Sequence, residues 1–167
     1  VATLLVGIEG GWQGAVMAPT EVLAEQHYLA IVDLMEAAGL GPEPEGEGAA
    51  LGMGSLFGQG EQASVRTALL TGSQALLSHR PGAGRAEVQA AIAAGEVELV
   101  VGTHALIQEG VTFSKLGVAV VDEQHRFGVA QRVELRDKAA DVDPDLLIMT
   151  ATPIPRTISM TLYGDLD

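Results

Sequence analysis

Residues 117–128 read GVAVVDEQHRFG, an apolar run at 118–121 that stops at two adjacent carboxylates, Asp122 and Glu123. Four apolar residues in a row, three of them Val, suit a strand covered on both faces, and that is what a parallel α/β sheet demands. In such sheets ligands sit outside the carboxyl ends of the strands, so this strand delivers its acids to the ligand edge. One acid of the pair can hold a hydrated Mg²⁺ while the other orients an attacking water, as phosphoryl transfer requires. The same pattern also serves as a helix N-cap or a solvated turn, and the pair alone does not choose between these readings.

The rest of the chain repeats the arrangement. Residues 1–9, VATLLVGIE, read as the last turns of an apolar helix stopped by Gly10-Gly11, and a start inside such an element without Met implies a preceding segment. Residues 14–18, GAVMA, form a strand broken at Pro19; Thr20 is placed to cap a helix or to touch a phosphate. A helix over 21–38 carries Val22, Leu23, Leu29, Ile31, Val32, Leu34 and Met35, from which one broad buried face is expected, and it ends at Gly39. Residues 39–63 hold eight Gly, two Pro and four Glu with no basic residue, a composition that predicts a flexible surface insertion.

Strand character resumes at 67–71 and runs into Gly72-Ser73; 74–84 has no clear element. A helix over 85–94 is ended by Gly95, and a strand over 98–101 finishes at Gly102-Thr103-His104. His104 fits a cap or packing role as well as a functional one. Residues 126–138 are polar and charged, as a surface loop with a short helix is. A last strand at 145–149 runs into TATPIPRT at 150–157, whose two prolines forbid its continuation. Five apolar strands, each with its polar residues at the C-terminal end, predict a parallel α/β sheet with flanking helices and right-handed crossovers, with a phosphate-type or nucleotide-type site at one edge.

Bulk properties narrow the function. The 167 residues fit one domain, the absence of Cys excludes disulfides and thiolate metal sites, and the histidines at 27, 79, 104 and 125 do not form a zinc-type spacing. No apolar run is long enough to span a bilayer and no basic leader precedes one, so a cytoplasmic protein without membrane partners is expected. The net charge is −13; residues 1–65 carry nine acids and no Lys or Arg, whereas 66–167 carry thirteen acids and nine basic residues. This balance argues against a basic DNA-gripping face, and contact with nucleic acid is expected to use backbone amides and hydroxyls or charges supplied from elsewhere.

With these stretches in hand, the chain resembles the first RecA-like motor domain of superfamily 2 DExH helicases, and within them the RecG family of bacterial DNA helicases. The likeness rests on MAPTEVLAEQH at 17–27, LLTGS at 69–73, VVGTHALIQEGV at 100–111, VVDEQHRFGVAQR at 120–132 and MTATPIPRTISMTLYGDLD at 149–167. It implies ATP and Mg²⁺ as cofactors and branched or forked DNA as substrate, in recombination and repair. Asp122 is implied as the acid that holds Mg²⁺ through water and Glu123 as the acid that polarises the attacking water. Gln124, His125, Thr150, Ala151, Thr152 and Arg156 are implied as the layer coupling nucleotide state to DNA. Pro19, Thr20, Gly72, Ser73, Thr103 and His104 are implied as DNA-phosphate contacts.

The family's GxxxxGKT phosphate-binding loop does not occur in the 167 residues and is expected just before residue 1, together with the strand that leads into it. A second RecA-like domain and a wedge domain are implied as partners within a longer chain. The 167 residues on their own are therefore expected neither to hydrolyse ATP nor to unwind DNA. A transcription-repair coupling translocase shares the DE-x-HRFGV and TATPIPRT stretches and is the alternative within the class; a non-enzymatic remnant or interaction module that kept the sheet is the alternative outside it.

Overall fold

The computed structural model describes residues 2–41, 64–108, 110–122, 134, 135, 138 and 143–149. In chain order these form α1 (Ala2–Glu9), β1 (Gln13–Met17), α2 (Glu21–Ala37), β2 (Thr67–Leu70), β3 (Ala75–Leu77), α3 (Arg85–Ala94), β4 (Leu99–Gly102), a 3₁₀ turn (His104–Leu106), β5 (Leu116–Asp122) and β6 (Asp145–Met149). The strands make one six-stranded sheet in the order β3-β2-β4-β1-β5-β6. The pairs β2-β4, β4-β1, β1-β5 and β5-β6 are parallel, so five strands end at the same edge.

The expected parallel α/β architecture is present, with one correction. β3, in the stretch without a clear element, pairs antiparallel with β2, Leu70 opposite Ala75 and Ala68 opposite Leu77. Thr71-Gly72-Ser73-Gln74 is the turn of this hairpin, closed by the Thr71 amide donating to Gln74 O at 2.9 Å. A connection this short can join only antiparallel neighbours.

Strand alternation splits the core in two. On one face Leu4 of α1 and Ala24, Tyr28, Ile31 and Met35 of α2 pack on Val16, Leu69, Leu99, Val101 and Val120. On the other, Val88, Ala91 and Ile92 of α3, with Leu106, Phe113 and Leu135, pack on Ala15, Met17, Leu70, Val100, Ala119 and Val121. The central strands β1, β2 and β4 are buried at every residue, as a sheet covered on both faces requires.

Two expectations about surfaces need correction. The buried stripe of α2 runs through Ala24, Tyr28, Ile31 and Met35, while Val22, Leu29 and Leu34 are exposed. Apolar residues occur on so much of the helix circumference that hydropathy alone cannot pick the face; the i, i+4, i+7, i+11 spacing of the smaller Ala and the broad Tyr can. Leu135, inside the stretch expected on the surface, is buried in the second core. β6 is an edge strand whose Leu147 and Met149 are exposed. The 39–63 insertion falls, from residue 42 on, outside the described residues.

Helix ends follow the sequence. Gly95 stops α3 with φ +74°, a left-handed conformation that a side chain would strain. At the other end the Gly84 amide donates to Glu87 Oε2 at 2.7 Å, using one of the amides a helix start leaves unpaired. A buried polar clip ties the layers together: Gln13 Nε2 donates to Ile92 O at 3.0 Å and to Val97 O at 2.8 Å, and Gln13 Oε1 accepts from the Lys115 amide at 3.0 Å. One side chain thus joins β1 to the end of α3 and the start of β5.

Candidate functional site

In register, Leu70, Gly102, Met17 and Val121 stand level at the C-terminal ends of β2, β4, β1 and β5. With strands about 4.8 Å apart, the segments that follow them form a row about 15 Å long. The row begins at Thr71–Ser73, continues through Thr103-His104 and Pro19-Thr20, and reaches Asp122 one residue beyond Val121. Sequence reasoning places these residues at strand ends; the topology makes those ends neighbours.

Backbone contacts draw the row together. The Ala18 amide donates to Gly102 O at 2.8 Å, and the Thr103 amide donates to Leu70 O at 3.3 Å. A Cβ on Gly102 would lie 2.1 Å from Leu70 O, so this approach of β4 to β2 exists only because residue 102 is glycine.

The hydroxyls at the edge are engaged in a way that leaves chemistry available. Thr20 is the N-cap of α2, its Oγ1 accepting from the Leu23 amide at 3.3 Å. Thr103 caps the 3₁₀ turn, its Oγ1 accepting from the Ala105 amide at 3.4 Å. A hydroxyl that accepts still has its own O–H to donate, so capping and phosphate contact are compatible. Thr20 and His104 are exposed, and Pro19 and Thr103 partly so.

Ser73 differs. Its amide donates to Glu21 Oε1 at 2.9 Å and its hydroxyl to Glu21 Oε2 at 2.6 Å, so both donors face a carboxylate on the first turn of α2. These hydrogen bonds from the Ser73 hydroxyl and amide hold the Glu21 carboxyl below its ordinary range. Arg85 of α3 braces the same turn from the other side, its Nη2 donating to Thr71 O and, at 2.7 Å, to Gly72 O.

At the other end of the row, Asp122 closes β5 with its side chain about one-quarter exposed. Its Oδ2 accepts from His27 Nε2 at 2.9 Å, while among the described residues no hydrogen bond reaches Oδ1. His27 is a site residue that sequence reasoning missed. Its partner lies 95 residues away, and the one local signal is that a polar residue occupies the 24, 27, 28, 31 face on which α2 is otherwise buried. Glu123, Gln124, His125, Thr150, Ala151, Thr152 and Arg156 lie outside the described residues.

The donor set suits a hydrated divalent cation better than a caged one. Among the described residues no three His, Cys, Asp or Glu side chains gather into a ligand cluster. Mg²⁺ commonly keeps several waters and takes only one or two carboxylates, which a single partly exposed carboxylate at a strand end satisfies. A groove of about 300 Å³ lined by Thr3, Val6, Trp12, Gly117, Val118 and Asp145, among others, opens at the opposite end of β5 and β6 and takes no part in this site. No helix among the described residues is long and apolar enough to cross a membrane.

Comparison with known proteins meets this geometry from another direction. The ATP-dependent DNA helicase RecG of Mycobacterium tuberculosis (strain ATCC 25618 / H37Rv) is 50% identical over 168 residues, covering all of this chain and 20% of the relative. RecG of Bacillus subtilis (strain 168) is 43% identical over 164 residues, covering 98% of this chain and 19% of the relative. The chain thus spans about a fifth of the length of the curated relatives it matches. A solved structure of RecG bound to a three-way DNA junction superposes with a TM-score of 0.54 at 34% identity, covering 94% of this chain and 16% of that one. The mostly parallel sheet is accordingly RecA-like. The family model for the DEAD/DEAH box helicases matches residues 59–161, a span running from β2 through the carboxylate-bearing end of β5 and beyond β6, and the chain belongs to that family.

Proposed function

We propose that this chain is part of the first RecA-like motor domain of an ATP-dependent DNA helicase that acts on branched DNA. The observation that carries the reading is the row of strand ends: hydroxyl and amide donors on β1, β2 and β4 and a carboxylate on β5 share one edge, in a chain 50% identical to RecG over its full length. In this reading Asp122 holds Mg²⁺ through water, and Glu123 orients the water that attacks the terminal phosphate. Bound ATP and Mg²⁺ supply the phosphoryl group and the charge neutralisation its transfer needs. Gln124, His125, Thr150, Ala151, Thr152 and Arg156 relay nucleotide state to the DNA edge. Pro19, Thr20, Gly72, Ser73, Thr103 and His104 meet the phosphates, Ser73 by giving up its bonds to Glu21.

The net charge of −13 accords with this use of neutral donors. Hydroxyls and amides release few counterions, so DNA binding by this chain has a shallow salt dependence. Because the 167 residues contain no GxxxxGKT run, they give no Mg²⁺-dependent ATP turnover by themselves. A second motor domain and a wedge domain complete the machine.

The test is fluorescence anisotropy of a labelled three-way junction at low salt. Thr20→Ser keeps both cap and donor and binds like wild type. Thr20→Asp keeps the cap but replaces the donor with a negative charge, and binding is lost. Equal isotherms for the two variants would refute the phosphate-contact assignment.

A further inference from the structure

We propose that His27 is a positioning residue for Asp122: its imidazole fixes one carboxylate oxygen and so presents the other to the water shell of a divalent cation. This deepens the proposed function and rests on Asp122 being the metal acid.

Three observations carry it. The first is the contact, His27 Nε2 to Asp122 Oδ2 at 2.9 Å, made by side chains only 34% and 24% exposed and so partly shielded from competing water. An aspartate at a strand end has a free χ1 and χ2. A hydrogen bond to Oδ2 alone, with Oδ1 unengaged among the described residues, removes that freedom without consuming the second oxygen. Outer-shell partners of this kind commonly set the orientation and basicity of metal-ligating groups.

The second observation is that the imidazole is itself held. His27 lies between Ala24, Tyr28 and Ile31 on the face of α2 that is buried against β2 and β4, and those neighbours are at most 7% exposed. The helix cannot turn about its axis without dragging Tyr28 and Ile31 out of the core. The direction from which His27 approaches Asp122 is therefore set by apolar packing rather than by the pair.

The third is where α2 begins. Glu21, on its first turn, accepts both donors of Ser73, and Thr20 caps it. Seven residues of helix, about 10 Å, separate the Thr20 end from His27. One rigid rod thus touches the row of hydroxyls at its start and the carboxylate two turns later. Any shift of α2 that accompanies contact at Thr20 or Ser73 reaches Asp122 through His27.

The test uses the ¹⁵N-labelled 167-residue chain and Mn²⁺, read as paramagnetic broadening of the Val121 and Asp122 amide signals. His27→Leu removes the donor and suits a helix; His27→Gln keeps an N–H near the position of Nε2. The expected result is that His27→Leu raises the Mn²⁺ midpoint by about tenfold or more, as loss of an outer-shell partner does, while His27→Gln restores it and Asp122→Asn abolishes the broadening. Unchanged amide spectra away from the site show that each variant folds. If Asp122→Asn abolishes broadening but His27→Leu binds Mn²⁺ like wild type, the inference falls and the metal-acid reading stands. If both His27 variants weaken binding equally, ring packing rather than the hydrogen bond is responsible, and the inference again falls. Broadening that survives Asp122→Asn removes the metal-acid reading and the inference with it.

Discussion

Gly102→Ala tests whether the row of strand ends depends on one missing side chain. The added Cβ would sit 2.1 Å from Leu70 O and 2.9 Å from Leu106 Cγ and Cδ2, where real Cβ contacts essentially never fall below 3.0 Å. Leu106 can adjust its rotamer; Leu70 O is backbone in the middle of the sheet and cannot. β4 must therefore move away from β2 by about 0.9 Å at this level. The Thr103 amide to Leu70 O bond, already 3.3 Å, is then lost. Overpacking of a core costs about 1–3 kcal/mol and a lost hydrogen bond about 0.5–1.5 kcal/mol. Replacing Gly by Ala in a strand returns about 0.5–1 kcal/mol by restricting the unfolded chain, which leaves a net loss of roughly 0.5–4 kcal/mol. Urea unfolding of the 167-residue chain followed by circular dichroism measures it. Gly84→Ser is the control, because its Cβ meets nothing nearer than Glu87 Oε2 at 3.7 Å and its hydroxyl can cap α3; stability should hold or rise by a few tenths of a kcal/mol. A Gly102→Ala midpoint that implies a loss under about 0.5 kcal/mol, the ordinary scatter of surface changes, would show that the two strands can part without cost and that the close approach is not required.

Two further outcomes follow from side chains whose partners are far away in sequence. Gln13→Leu keeps volume but leaves the Lys115 amide and Val97 O without their side-chain partner, while Ile92 O retains the Gly95 amide. At about 1–3 kcal/mol for each of the two buried groups left unpaired, urea unfolding should show a loss of roughly 2–6 kcal/mol, and a loss below 1 kcal/mol contradicts the clip. Glu21, held below the carboxyl norm of 4.5 by Ser73, should titrate below that value when its side-chain carbon is followed by NMR, and Ser73→Ala should bring it back up. Since the folded pKa is the depressed one, the Glu21–Ser73 contact contributes at pH values above the unfolded pKa and fades as pH falls through the folded one. Glu21 is only partly buried, so the consequence is a loosened turn at 71–74 rather than unfolding.

What was legible in the sequence is what local pattern determines. The run at 118–121 suits a strand covered on both faces, and Gly95 suits a helix end, because each follows from the residues' own conformational preferences. β3 escaped because three residues with one buried at the end have no period to read, and the signal lay instead in the four-residue turn before it. On α2 the apolar residues outnumber the positions a sheet can cover, so hydropathy points in too many directions; Ala24 and Tyr28 decide the face because only a small residue lets helix and sheet approach and only a broad one fills the remaining gap. The strand ends could be recognised one by one, but their order along the edge is a property of topology, which puts β2 and β5 on opposite sides of the β4-β1 pair.

The same distinction explains the readings of Thr20 and Thr103. Cap and phosphate contact look like competitors for one hydroxyl when only the sequence is considered. In the fold each oxygen accepts from an amide of its own turn and keeps its own O–H to donate. Replacing either Thr by Val removes cap and donor together, whereas Ser preserves both. Asp122 follows the same logic at the other end of the row. His27 takes Oδ2, and among the described residues nothing takes Oδ1. At three places along this edge, local structure engages one valence of a polar group and, among the described residues, leaves the other without a partner. A chain with a net charge of −13 can in this way face phosphates without a basic patch.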